Sequence, residues 1–382
     1  MKKLLFLFFI LLLACSENGT DPLAVALKSD HPAISGIMQN LDSHEVQILY
    51  TRIDTTANGA PLLTEFSFQL DATHYFYPAS TVKFPVAVLA LEKIDALHTI
   101  SRNTPYTMEG DSVVHTIEDE VRQLFAVSDN DAYNRLYEFL GRDYINAQLQ
   151  RKRLQPVRIS HRLATENASD KERTPLLFRL NESDTIFQSL PNLSTASDSE
   201  IQKLKLKKTV KGKGFMRNDT LIAQPMDFSE KNYLPLRTQH ELLKRLFFAE
   251  LFPEDQQFQL AKETQEFLFN TMHTVPRNSG YDESEFYDSY GKFFIYGDSK
   301  ERMPENLKIY NKVGYAFGTL TDTAYIVDEI NDIHFLLSAT ILVNNNEIFN
   351  DDHYEYESVG IPFLAQLGRE LYRYEFARKK AK

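Results

Sequence analysis

The order of strand-like and helix-like patterns along the 382 residues constrains the fold more than any other feature. Two runs with β-forming composition, Val46–Ile53 and Leu63–Leu70, flank a turn at Asn58-Gly59 near the start. Three more, Lys308–Val313, Thr321–Asp328 and Ile333–Val343, stand near the end. Between them helical patterns occupy Ala79–Ile94, Ile117–Phe125, Asp131–Leu140, Tyr144–Arg151, Thr238–Phe252 and Phe258–Asn270, with Thr238 and Glu241 at capping-box spacing. Further helices are expected at Pro32–Leu41 and Ser358–Ala377. Strands at both ends with helices between predict an α/β (α+β) domain: one antiparallel sheet assembled from both termini, flanked by helices, with a helical lobe inserted. Closure over so long a separation makes a single domain, 31–382. A hydrophobic content of 43% can fill its core, and 25% charged residues is a globular composition. The net charge of −11 and the lack of a large basic tract argue against a nucleic-acid partner.

The amino terminus reads as an address rather than as structure. Lys2 and Lys3 precede an apolar run from Leu4 to Leu13, which at about ten residues is too short to span a bilayer and matches a signal-peptide core. Leu12-Leu13-Ala14-Cys15 resembles a bacterial lipobox, which implies a leader over 1–14, a lipidated Cys15 and an exported, membrane-anchored protein on the periplasmic or cell-surface side. An ordinary cleaved signal with a stray cysteine is the alternative. Residues 15–30 then form a tether, broken at Asn18-Gly19 and Asp21-Pro22. With one cysteine, neither an intramolecular disulfide nor a cysteine-based metal cluster can form.

The stretch 175–234 stands out as polar, irregular and lysine-rich. Lys203, Lys205, Lys207, Lys208, Lys211 and Lys213 alternate in part with Leu204 and Leu206, and Arg217-Asn218-Asp219-Thr220 reads as a turn leading to Leu221 and Ile222. A solvated hairpin is expected here; a basic lip that meets an anionic polymer or a substrate carboxylate is the sharper alternative.

Three short motifs carry chemistry. Ser80-Thr81-Val82-Lys83 opens a long apolar helix, where residues three apart lie about 60° apart around the axis and share a face. A serine hydroxyl needs a base, and a lysine desolvated by apolar neighbours can serve as one. Unpaired amides at the helix start suit an acyl oxyanion. Ser128-Asp129-Asn130 lies between two helices, where Ser128 can relay a proton and Asn130 can hold a substrate amide. Lys312-Val313-Gly314 ends a strand and puts a cation and free backbone groups of Gly314 and Tyr315 beside an extended substrate. Taken singly, each reads as well as a helix cap or an exposed strand lysine with a turn glycine.

Together, in this order, the three motifs resemble the Ser-x-x-Lys, Ser-Asp-Asn and Lys-Thr-Gly set of the class A β-lactamases and penicillin-binding proteins. The segments PASTVKFPVAVLALE and VSDNDAYNRL and the Gly-Thr-x-x-Asp-x-Ala pattern from Gly318 to Ala324 extend the resemblance across roughly Pro32 to Ala377. It implies that Ser80 is the acylated nucleophile and Lys83 its base. It further implies Ser128 as proton relay, Asn130 as amide anchor, Lys312 as the carboxylate-side cation, and the Ser80 and Tyr315 amides as oxyanion hole.

Two departures bear on the substrate. Val313 replaces the family's hydroxyl residue and removes one hydrogen bond to a substrate carboxylate, worth about 1.5–3 kcal/mol. The stretch HRLATENASDKERTP resembles the ends of an omega loop whose middle is shortened. Glu166 is the best-placed candidate to activate the deacylating water, with Glu172 second, and neither begins a Glu-x-x-x-Asn pattern. The ten histidines include no pair at i, i+3 or i+4, and no phosphate-binding glycine loop occurs. The expectation is therefore a monomeric serine hydrolase without metal or cofactor, acting on a β-lactam or a related amide or ester. The alternatives are a penicillin-binding or cell-wall peptide hydrolase with slow deacylation, and a catalytically idle, lipid-anchored binding protein.

Overall fold

The structure is a computed structural model and describes residues 21–179, 187–188 and 204–381. Cys15 and the expected leader lie outside the described residues, as does Lys203. No helix among the described residues is long and apolar enough to cross a membrane.

Five antiparallel strands form the central sheet: β1 (Gln47–Thr55), β2 (Pro61–Phe68), β3 (Leu307–Ala316), β4 (Thr319–Asp328) and β5 (Ile333–Leu342). Their order is β3-β4-β5-β1-β2, so the first hairpin of the chain closes on the last strand through the β1–β5 register, Leu49 opposite Ser338. This is the sheet from both termini that the pattern predicted. Phe335, Leu336 and Leu337 are consecutive and all fully buried, with side chains on alternating faces, so β5 is covered on both sides.

One face carries α7 (Ile361–Lys380) and two short helices, Pro22–Ala26 and Pro32–Met38. The first of these corrects the tether. Asp21 caps the backbone N–H groups of Leu23 and Ala24, Pro22 takes the first helical position, and Leu23, Ala26 and Leu27 are buried in the core on that face. The dipeptide read as a breaker is a helix start.

The other face carries α5 (Leu236–Phe247), which leads into the helical lobe. That lobe holds α1 (Lys83–Ala96), α2 (Ile117–Ala126), α3 (Asn130–Leu140), α4 (Arg142–Arg151) and α6 (Lys262–His273). From Phe84 to Leu91 helix α1 is apolar and buried around its whole circumference, and it forms the axis of the lobe core. The capping box at Thr238 does not form: α5 starts at Leu236 after Pro235, and the Thr238 hydroxyl donates to the Pro156 carbonyl instead. Helix α6 begins four residues later than expected, because Phe258 and Leu260 pack against the lobe core from an irregular segment.

The turn Asn218-Asp219 forms as expected, both residues with positive φ, and joins the strands Gly214–Arg217 and Thr220–Ile222. Around Leu204 and Leu206 the expected solvated hairpin does not form among the described residues. Both leucines pack against a buried aromatic cluster with Tyr75 and Tyr77, so the alternation marks an inner face.

Leu337 stands in the sheet interior with no exposure. Leu337→Ala is expected to lower unfolding free energy by about 2–5 kcal/mol in urea denaturation; a loss under about 1 kcal/mol would contradict the packing described.

Candidate active site

The three motifs converge where the helical lobe meets the edge of the sheet. Ala79–Val82 forms a single 3-10 turn that runs into α1. Ala79 has a φ of +46°, a left-handed conformation that a non-glycine residue holds only when its surroundings enforce it. Strand β3 is an edge strand and lies flush against this turn. A Cβ on Gly314 would meet the Pro78 carbonyl oxygen at 2.6 Å, Thr81 N at 2.7 Å and Ser80 N at 2.8 Å. Only glycine permits that approach, which sets the start of α1 beside the Gly314–Tyr315 backbone.

Lys83 is fully buried. Its Nζ donates to the Ser128 carbonyl and to Asn130 Oδ1 at 2.8 Å, with Ser128 Oγ at 3.3 Å. Burial pushes its pKa down to about 7, opposed by Asp129 and Asp131. Neither carboxylate pairs with it: Asp129 caps α3 through the Ala132 N–H at 2.7 Å. A neutral amine has two hydrogens and one lone pair. The carbonyl and the amide oxygen are acceptors only and take both hydrogens, which leaves the lone pair for a hydroxyl. Among the described residues the Ser80 hydroxyl has no hydrogen-bond partner.

Ser128 adopts a φ of +58° and turns its side chain between two lysines. Lys312 Nζ donates to Ser128 Oγ at 2.8 Å and to the Val313 carbonyl at 2.8 Å. Lys312 is only 3% exposed, and burial, then Lys83, hold its ammonium well below the usual lysine range. The expected carboxylate-side cation is thus a buried partner of Ser128. Val313 is buried in the apolar cluster on the α7 face, a packed core residue. Tyr315, by contrast, is 48% exposed at the rim. Ser80, Lys83, Ser128, Asn130, Lys312, Gly314 and Tyr315 are thus gathered at one junction.

Glu166 is not gathered with them. Its side chain is exposed in the loop after α4, and no hydrogen bond or ion pair ties it to Ser80, Lys83 or Ser128 among the described residues. The shortened loop closes on Arg162 instead. The guanidinium of that buried residue pairs with Glu138 and donates to the carbonyls of Asp170 at 2.8 Å and Glu172 at 2.6 Å. The Glu172 side chain is likewise exposed. Leu163 adds a second tie to α3: its N–H donates to Asn134 Oδ1 at 2.9 Å while Asn134 Nδ2 donates to its carbonyl at 2.9 Å. Asn134 was missed by sequence reading, yet its signal was present: it lies four residues after Asn130, on the same face of α3.

Gly314→Ala is expected to separate β3 from the Ser80 turn and to slow labelling of Ser80 by a fluorophosphonate about 10²-fold, with circular dichroism unchanged. An unaltered labelling rate would contradict the contact.

Comparison with known proteins agrees with this arrangement. Residues 33–198, which include Ser80, Lys83, Ser128 and Asn130, match the beta-lactamase enzyme family. A β-lactamase from Sphaerobacter thermophilus superposes with a TM-score of 0.50 at 12% identity, covering 91% of this chain and 94% of that one. A β-lactamase from Desulfarculus baarsii gives a TM-score of 0.50 at 15% identity, covering 92% of this chain and 99% of the other. At such identities the likeness is one of fold. No curated protein matches. The family match spans the first two motifs, and the solved structures share the fold.

Proposed function

We propose that the protein is a serine acyl-transfer hydrolase that acylates Ser80 readily and releases the acyl group slowly, in the manner of a penicillin-binding protein. The observation that carries this reading is Lys83: a fully buried amine with pKa lowered to about 7 that pairs with no carboxylate among the described residues, three positions after a serine whose hydroxyl has no hydrogen-bond partner among them. In this reading Ser80 Oγ attacks the carbonyl carbon of an amide or ester, and its proton passes to the Lys83 lone pair. The amides of Ser80 and Tyr315 receive the oxyanion. As the carbon–nitrogen bond breaks, Ser128 Oγ delivers the proton to the leaving nitrogen, resupplied through its contacts with Lys83 and Lys312. The Asn130 side chain, with Oδ1 held by Lys83, offers its amide N–H groups to the substrate. The acyl group then transfers to water.

Slow release follows from Glu166, which is exposed and carries no tie to the site among the described residues. The substrate class is a β-lactam or a related amide or ester, and the Cys15 lipid anchor holds the enzyme at a membrane surface.

The test is the intact mass of the purified protein followed over time with a panel of β-lactams, alongside Ser80→Ala and Glu166→Gln. The expected result is an adduct on wild type and on Glu166→Gln that persists for hours, and none on Ser80→Ala. Because neutral Lys83 is the acting species, the adduct should form faster as pH rises through about 7 and level off above it. An adduct lost within minutes on wild type alone, and retained on Glu166→Gln, would restore Glu166 to the mechanism. No adduct with any member of the panel would remove β-lactams as substrates.

A further inference from the structure

The lysine-rich segment is built into the back wall of the nucleophile. Its centre is Phe228, only 1% exposed. The ring of Phe228 meets Tyr75 at 5.8 Å, Tyr77 at 6.2 Å, Phe317 at 5.5 Å and Phe349 at 5.3 Å between centroids. Tyr77 lies three residues before Ser80, and Phe317 two residues after Tyr315. Tyr77 and Phe317 also pack edge-to-face on each other at 5.0 Å. The backbone reinforces the rings. The Tyr75 N–H donates to the Lys207 carbonyl at 3.0 Å, the Lys207 N–H to the Thr73 carbonyl at 2.8 Å, and Phe215 pairs with Phe349 in a parallel register.

Two strained residues sit in this same cluster. Ala79, at φ +46°, directly precedes Ser80, and Phe317, at φ +52°, closes the strand that carries Gly314 and Tyr315. Neither is glycine, so each conformation persists because its surroundings impose it. A second tie runs from the end of the segment to the shortened loop. Asn232 is fully buried; its Oδ1 accepts from Ser160 N at 2.7 Å and His161 N at 3.1 Å, and its carbonyl accepts from the Tyr75 hydroxyl at 3.1 Å. His161 in turn stacks on Tyr77, its ring nearly parallel at 9°.

We infer that the segment 204–234 is a positioning device for acyl transfer, in which Phe228 holds the Ser80 turn and the Phe317 turn at a fixed separation and so sets the oxyanion site between the Ser80 and Tyr315 amides. The inference rests on the proposed acyl-transfer role of Ser80. Phe228 itself touches no substrate, and its effect passes through Tyr77 and Phe317.

The experiment compares wild type, Phe228→Ala and Phe228→Leu by hydrogen–deuterium exchange and by the fluorophosphonate labelling rate of Ser80 as a function of probe concentration. In Phe228→Ala, exchange in peptides covering 77–84 and 312–319 is expected to rise at least about tenfold, while exchange in β5 and α6 stays at the wild-type level. The maximal labelling rate falls in parallel, the half-saturating probe concentration holds, and Phe228→Leu recovers most of both losses. Unchanged exchange at those two turns in a folded Phe228→Ala protein would overturn the inference. So would a rise spread evenly over the chain and absent from Phe228→Leu, since that marks general destabilisation. A wild type that the probe does not label counts against the acyl-transfer reading alone, because the exchange pattern still decides whether Phe228 holds the two turns.

Discussion

The site depends on the burial of one amine that has no carboxylate of its own. Lys83 points into the junction of lobe and sheet, where an ammonium would be costly, and the chain supplies two oxygen acceptors in place of a counter-ion. An amine in such a place loses its proton near neutral pH and becomes a base. Asp129 and Asp131 lie near enough to moderate the effect, but Asp129 is held in the α3 cap. Had either carboxylate paired directly with Nζ, the lysine would be charged and Ser80 would lack a proton acceptor.

The architecture around Lys83 serves that burial. The two-faced sheet and the apolar α1 exclude water from below and behind, and edge strand β3 closes the side. Because β3 pairs only with β4, its outer backbone edge faces the cleft, and Gly314 lets it lie against the Ser80 turn. The positive φ angles at Ala79, Ser128 and Phe317 all belong to this junction. Strain gathered at the contact between three chain segments is the mark of positions held by packing rather than by local preference.

Much of this was legible in the sequence, and the limits of legibility have physical causes. The β1–β2 hairpin and the three final strands read clearly because their residues alternate between buried faces and their turns carry Asn-Gly or a similar signal. The motif residues were readable by type and spacing, and they do meet. What the residues could not show was direction. Lys312 reads as a cation facing substrate, yet packing buries it against Ser128. Glu166 reads as a base by loop position, yet the Arg162–Glu138 pair draws the loop into a shape that leaves Glu166 in solvent. The leucines at 204 and 206 read as part of a solvated hairpin, and only the fold shows that they line the wall behind the nucleophile. Asp21-Pro22 reads as a breaker, yet Asp21 caps a short helix whose Leu23 is buried in the core.

The most direct measurement of the central claim is the titration of Lys83 itself, by NMR of protein carrying carbon-13 at the lysine side chain, with Lys83→Arg to assign the signal. A Lys83 resonance that titrates near pH 7, well apart from the exposed lysines near 10, is the result this account requires. A Lys83 that stays charged to pH 10 would contradict it, and would require some other group to take the proton from Ser80.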